Sequence, residues 1–404
     1  MDYSKLKRNK ESIKNLIEEF KREKIDCTQY WINKDFKEND EIISNNNNEN
    51  SNENKSKQLS KDYNFFAIDG SFNQRSFLDF SIYVVGAEAY GHKIGTKVKP
   101  LLNAWDSGVI LPYQYSKRSR LEHYMATMEL KLALCILTNN SNSNNNSNNN
   151  SNNNSNSNND KIESFDYYIY DGSVYSWLVH AKNNRLLTEY KYNRAIGELY
   201  IKYEKEFRKY LLNELNCEKI DAYSNFYEYA NIKEEEETES FGENELKVLF
   251  EQLEYIIVLS ELLKHRDRII GVAKTSKMNV YFKDNLRSDM SAFSRCEPGY
   301  SIPMNLVEKD IKSSSTIEEL KKFDIHIDTL NYQFLKFKKG AMGITSFKKL
   351  DEEVFDALYQ ITDMNYPYIL KKCHEKVKIS ELEMDKYIKY LGIYEDTERG
   401  VYLD

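Results

Sequence analysis

The sequence predicts an α/β fold, a mixed sheet flanked by helices, and three observations carry that reading. Runs rich in β-branched and aromatic residues (63–69, 77–90, 165–170 and 268–274) alternate with stretches of helical periodicity, as strands and helices packed in layers do. Two of these runs end in the same tripeptide, Asp69-Gly-Ser and Asp171-Gly-Ser. Two tracts, Asn45 to Asn54 and Asn139 to Asn159, contain no apolar residue. They bury nothing that would offset chain entropy, so they are expected to be disordered insertions rather than domains.

From the N-terminus, residues 2–23 carry Leu6, Ile13, Leu16, Ile17 and Phe20 at helical spacing among many Lys and Glu. That narrow apolar stripe docks on another surface or pairs with a partner. The expected organisation is an N-terminal helical segment over 1–40, an Asn-rich linker over 41–60, and one globular unit over 61–404. Tyr63 to Asp69 reads as a strand running into a Gly-Ser turn, and Phe77 to Tyr90 as its hairpin partner. Arg118 to Leu137 switches to helical period, with Leu121, Tyr124, Met125, Met128, Leu132 and Cys135 on one face. The insertion over 139–160 follows, at a surface connection that lengthens at small entropic cost. Phe165 to Tyr170 is the next strand and leads to Asp171. Residues 182–216 and 246–265 are long helical patterns, separated by an acidic loop over 231–245. Arg268 to Lys274 is a buried strand. A strand near Tyr332 to Lys338 and helices over 350–362 and 368–377 complete the pattern.

At 404 residues the chain can bury a large core. Its net charge of -7 argues against non-specific coating of nucleic acid, though not against a locally basic face. Five scattered cysteines without a CxxC pair form neither a disulfide framework nor a zinc cluster, and suit a reducing cytoplasm. The N-terminus opens on charged helical residues, and no run approaches the roughly 18 apolar residues of a membrane span. A soluble cytoplasmic protein with no membrane partner is the expectation. GxxxxGK[ST], GxGxxG after a strand, GxSxG and zinc-finger spacings are all absent. The six histidines form no His-Glu-x-x-His motif, so a zinc hydrolase is not expected.

The chemistry lies in the carboxylates. If the strands leading to Asp69 and Asp171 are neighbours, both aspartates project into one crevice. Two carboxylates that close repel each other unless they share a cation. Hard divalent cations take carboxylate oxygens, and two-metal sites use such clusters for in-line phosphodiester cleavage. Taken singly, each Asp-Gly is more often a turn; the repetition is what raises the pair. Glu129, in an otherwise apolar helical surface, could join them, and Glu122, seven residues earlier on about the same face, is its rival. Either could instead be an ordinary solvent-facing glutamate. Lys274 ends an apolar run, where it either contacts a phosphate or marks the strand leaving the core. His374 stands about two turns into a helix that begins near Pro367. Basic residues gather at Lys117, Arg118 and Arg120, at Lys336, Lys338 and Lys339, and at Lys371 and Lys372, as DNA-neutralising patches or as solvated faces.

In that order, Asp69-Gly-Ser, Glu129, Asp171-Gly-Ser, Gly-Val-Ala-Lys274 and Tyr366-Pro…His374 resemble the NurA nuclease family, over about Tyr63 to Ser380. The resemblance implies a fold similar to ribonuclease H and manganese as the usual activating ion, with magnesium as its substitute in a two-metal site. It implies a DNA nuclease of 5′–3′ exonuclease and single-strand endonuclease type. A homodimer working in double-strand-break end resection with a HerA-type hexameric helicase-translocase is also implied. By motif, Asp69, Glu129, Asp171 and His374 take the metal-ligand positions, with Tyr366 and Lys274 beside them in the catalytic set. The sequence departs from the family pattern in carrying Lys-Lys-Cys before His374 and a long insertion between two of the ligands. Two alternatives compete: a non-catalytic adaptor with the same fold, and a ribonuclease H-like enzyme acting on RNA or RNA–DNA hybrids.

Overall fold

The longest pairing in the molecule is a hairpin. Strand β2 (Asn64–Ser76) runs antiparallel to β3 (Ser81–Lys93), with partners from Asn64↔Lys93 to Ser76↔Ser81. Strand β4 (Lys99–Ile110) pairs antiparallel on the far side of β3. On its other edge β2 takes β5 (Tyr167–Asp171) in parallel, and β5 takes β6 (Ile269–Ala273) in parallel. The spatial order β4-β3-β2-β5-β6 thus puts three parallel strands beside an antiparallel hairpin pair. The sheet continues antiparallel through β10 (Met342–Ser346), β9 (Asn331–Lys336), β7 (Gly299–Ser301) and β1 (Trp31–Asn33), with β8 (Met304–Asn305) also on β9. This computed structural model describes residues 10–22, 25–36, 63–77, 79–111, 117–145, 164–182, 190–216, 219–224, 226–230, 241–283, 288–363 and 366–393.

Alternation along the strands assigns each face its core. Phe66 and Ile68 of β2 and Val85, Ala87 and Ala89 of β3 pack beneath α2 (Lys117–Asn145), α3 (Val174–Lys182), α4 (Tyr190–Asn216) and α5 (Glu243–Leu262). Phe65 and Ala67 of β2, Ile169 of β5 and Val272 of β6 face the other way. They pack against α7 (Glu352–Gln360) and α8 (Tyr368–Val377). The remaining longer helices are α1 (Lys10–Arg22), α6 (Ile311–Leu320) and α9 (Glu381–Tyr390).

Two buried ion pairs fasten α2 to α5. Arg120 pairs with Glu251, whose carboxylate also accepts from Tyr124 Oη at 2.7 Å. Lys131 pairs with Glu254, which in turn accepts from Ser224 N at 3.0 Å and Ser224 Oγ at 2.8 Å. Both pairs are desolvated, so removing one partner would strand the other in the core.

Several expectations change. Asp69-Gly-Ser is not a turn at a strand end: β2 continues through it to Ser76, because the β3 partners continue. What ends near Asp69 is the parallel pairing with β5, last registered at Ile68↔Tyr170. Strand β4 and helix α9 were not foreseen. The 182–216 pattern is helix α4 from Tyr190 onward, Lys182 closes the separate helix α3, and α5 begins inside the expected acidic loop, where Glu245 Oε2 accepts from Gly242 N at 3.1 Å. Helix α2 runs on to Asn145, into the Asn/Ser tract, since each added residue closes a further helical hydrogen bond. Residues 31–33, inside the expected helical segment, form β1 of the main sheet. The expected linker over 41–60, the rest of the insertion over 146–160 and most of the acidic loop (231–240) lie outside the described residues.

Candidate active site

The face alternation that builds the core also aims the polar residues. Asp69 follows Phe65 and Ala67 on the α8 face, and Asp171 follows Tyr167 and Ile169 onto the same face of the neighbouring strand. Helix α8 is held down by Cys373, whose buried thiol donates to Ala67 O at 3.3 Å. One residue further on, His374 Nδ1 lies 2.8 Å from Asp69 Oδ2. The second oxygen of Asp69 accepts from Gly70 N at 3.0 Å. Asp171 meets Lys274 Nζ at 3.3 Å, and that ammonium sits 3.8 Å from the centre of the Tyr366 ring.

Glu129 comes from the opposite side of the sheet. Gly70 points toward α2, and a Cβ built on it would stand 2.5 Å from both Glu129 Oε1 and Met125 Cγ. The missing side chain is thus the gap through which the Glu129 carboxylate approaches Asp69. Gly172, beside Asp171, has φ +143 and takes a backbone bend that a side chain would strain. The rival Glu122 is occupied elsewhere: Arg118 Nε donates to its Oε1 at 3.0 Å across one helical turn.

The electrostatics are those of crowded negative charge. Burial pushes the Glu129 carboxyl well above its usual range, and the neighbouring Asp69 and Asp171 push it further. Burial also raises Asp69, with Asp171 adding to it and His374 opposing it. The Tyr366 phenol is raised by burial and then by Asp171. Its hydroxyl is buried beside that carboxylate without a hydrogen bond of ordinary geometry.

Among the described residues, no three acidic, imidazole or thiol side chains converge into a finished coordination shell. Asp69 is turned to His374 and Asp171 to Lys274. The donor set nevertheless suits a hard divalent cation. It offers three carboxylates and an imidazole, and Glu129 is buried beside two like charges with no cation as its partner.

All six sequence-nominated residues (Asp69, Glu129, Asp171, Lys274, Tyr366 and His374) therefore gather in one neighbourhood. Of the nominated basic patches, the pair Lys371 and Lys372 lies on α8 just before His374, while members of the other two are committed elsewhere. Arg120 is buried against Glu251, Arg118 holds Glu122, and Lys336 donates to Ser294 O at 3.1 Å. Glu88 was missed: it stands directly opposite Asp69 on β3, on the same face. The signal was a carboxylate inside the otherwise apolar run Val-Val-Gly-Ala-Glu88-Ala-Tyr. No helix among the described residues is long and apolar enough to cross a membrane.

Comparison with known proteins supplies the rest. The NurA domain model matches residues 63–379. A Methanocaldococcus jannaschii protein named "Probable DNA double-strand break repair nuclease NurA" is 34% identical over 359 residues, covering 84% of this chain and 81% of the relative. The crystal structure of the NurA nuclease from Sulfolobus solfataricus superposes with a TM-score of 0.59 at 19% identity, covering 96% of this chain and 95% of that one. A NurA crystal structure bound to dAMP and manganese superposes with a TM-score of 0.52 at 14% identity, covering 85% and 90%.

Proposed function

The chain belongs to the NurA family, and on that premise we propose that it is a manganese-dependent deoxyribonuclease acting on double-strand-break ends. The observation that carries this reading is the neighbourhood shared by Asp69, Glu129 and Asp171, which come from three elements, with His374 in contact with Asp69. The manganese named for a structural relative supports the choice of ion, with magnesium as its substitute. The strand order β4-β3-β2-β5-β6, with β2, β5 and β6 parallel, supports a ribonuclease H-like core.

Asp69, Glu129, Asp171 and His374 would hold one or two cations. Such an ion lowers the pKa of the attacking water and offsets charge on the phosphate. Around it the chain's own groups divide the work. His374 orients the Asp69 carboxylate through its 2.8 Å contact. Lys274, half exposed beside Asp171, offers its charge to a phosphate in the cleft. The buried Tyr366 hydroxyl, free of other hydrogen bonds, can turn to the substrate strand. Cleavage of 5′–3′ exonuclease and single-strand endonuclease type is part of the proposal. A panel of single-stranded DNA, duplex DNA, RNA and hybrid substrates with manganese, magnesium or chelator tests it. Preference for RNA or hybrid, or chelator-resistant cleavage, would overturn it.

The same reading carries a homodimer and a HerA-type hexameric motor as partners. Helix α1, with Ile13 and Ile17 exposed, is the contact we assign to one of them. Since β1 belongs to the main sheet, the informative deletion stops before residue 25. Unchanged dimerisation and unchanged motor capture by that deletion would refute the assignment.

A further inference from the structure

The sheet face that carries Asp69 extends beyond the carboxylates. Glu88 stands opposite Asp69, and Gly86, two residues along β3, stands opposite Trp105 of β4. Cross-strand partners share a face, so Asp69, Glu88 and Trp105 line the same side. With strands about 4.8 Å apart and a rise of about 3.4 Å per residue, Trp105 lies on the order of 12 Å from Asp69. Its indole lies flat over Gly86, in the space a side chain there would fill, and remains 45% exposed.

A groove of about 360 Å³ runs over this face, floored by Glu88 and Trp105. Lys376 and Lys378, at the end of α8, form one wall, and Met384 and Tyr387 of α9 form the other. The α9 wall is fixed by the Ser107 Oγ contact to Tyr387 Oη at 2.6 Å and by the Arg75–Asp385 ion pair. Among the described residues neither Lys376 nor Lys378 has an ion-pair partner. The acidic members are engaged locally: Glu383 Oε2 accepts from Ser380 N at 2.7 Å, and Glu88 accepts from Tyr90 Oη at 3.3 Å. The two lysines are thus the unpaired cations of the groove, and both stand on its α8 wall.

We infer that this groove is a subsite for single-stranded DNA, in which Trp105 stacks on a base and Lys376 and Lys378 hold the flanking phosphates. A half-exposed aromatic ring with two unpaired cations on the adjoining wall, continuous with the proposed phosphodiester-cleaving centre, has the makings of a strand path. The interior of a duplex does not fit this role, because its bases already have both faces stacked. The inference rests on the nuclease reading of Asp69, but its test does not.

The full-length protein is titrated with fluorescein-labelled oligothymidylate in chelator, so that binding is read without cleavage. Of the three tryptophans, Trp177 is buried and Trp31 is stacked on Phe293 at 5.1 Å, which leaves Trp105 as the exposed reporter. Saturable quenching of intrinsic fluorescence is expected. Trp105→Ala should bind about tenfold more weakly, while Trp105→Tyr should stay within about threefold of the parent. The double variant Lys376→Ala/Lys378→Ala should flatten the slope of log affinity against log salt by about 1.4. Unquenched parent fluorescence with unchanged Trp105→Ala affinity would overturn the inference, as would tighter capture of oligouridylate. An altered sedimentation coefficient for Trp105→Ala at unchanged affinity would also overturn it, by making the face a contact between copies. Should Trp105→Ala fail to fold, the lysine pair decides, and an unchanged salt slope overturns the subsite. Failure of the nuclease reading would appear separately, as inactivity of the parent with manganese.

Discussion

His374 Nδ1 and Asp69 Oδ2 stand 2.8 Å apart although 305 positions separate them in the chain. The contact depends on Cys373, which fixes α8 to the backbone of β2 one residue before the imidazole. On the proposed roles, a variant of Asp69 and a variant of His374 should lose activity to different degrees. Asp69→Asn is expected to reduce manganese-dependent cleavage to background while circular dichroism is unchanged. His374→Ala is expected to weaken manganese affinity or activity by about 10- to 100-fold. Manganese should also raise the melting temperature of the parent, since an ion that binds only the folded state stabilises it, and Asp69→Asn should lose that shift. Full activity in Asp69→Asn would remove the basis of the site.

Gly70→Ala tests whether Glu129 acts through the gap in β2. The new Cβ would fall 2.5 Å from Glu129 Oε1 and Met125 Cγ. The carboxylate must swing away, and the overpacking should cost about 1–3 kcal/mol. Activity should fall far more steeply than that modest destabilisation explains. Parallel losses of stability and activity in urea titrations and cleavage assays would mean that Glu129 is only structural.

Lys131 and Glu254 are both almost fully buried. Burial raises the Glu254 carboxyl, and Lys131 is the first of the groups that oppose this. Lys131→Met should cost about 3–5 kcal/mol, because it strands a charge in the core. Adding Glu254→Gln should recover much of that loss. A double variant no more stable than Lys131→Met in denaturant would contradict the pairing.

His123 Nε2 lies 3.1 Å from Glu251 O and His123 Nδ1 lies 2.8 Å from His180 Nε2. A carbonyl only accepts, so His123 carries a proton on Nε2; burial disfavours a second proton, which leaves Nδ1 to accept from His180 Nε2. Burial lowers the His123 pKa below its ordinary 6.5; Glu251 opposes this and Arg120 reinforces it. The ring of Tyr255 completes the surroundings. Below about pH 6.5 the unfolded chain takes up a proton that the folded chain refuses. Stability should therefore be complete above pH 6.5 and fall by up to about 1.4 kcal/mol per pH unit as the solution is acidified. Unfolding titrations of the parent and His123→Gln between pH 8 and pH 5 should show a shallower slope in the variant.

The parts of this molecule legible in the sequence are those where period and chemistry agree. Asp69 and Asp171 could be read because each follows a buried run and both carry Gly-Ser, and the strands prove to be parallel neighbours. Helix α8 was read over its observed length because Pro367 starts it. The choice between Glu129 and Glu122 was not legible, since seven residues bring a helix back to nearly the same face. It took Gly70 in space to separate them. Strand β4 escaped because, at the sheet edge, only Ala104 and Ile110 are buried and no apolar run or clean alternation marks it. The Asp-Gly-Ser stretch inside β2 looked like a turn because local preference favours one; thirteen residues of pairing with β3 override it.

The ion pairs that fasten α2 to α5 flank Glu129 at positions 120 and 131. Asp171 is set independently, by its place between β2 and β6. Neither carboxylate thus takes its position from the Asn/Ser repeat between them. A change in the length of that repeat alters the chain without altering the distance between the two carboxylates.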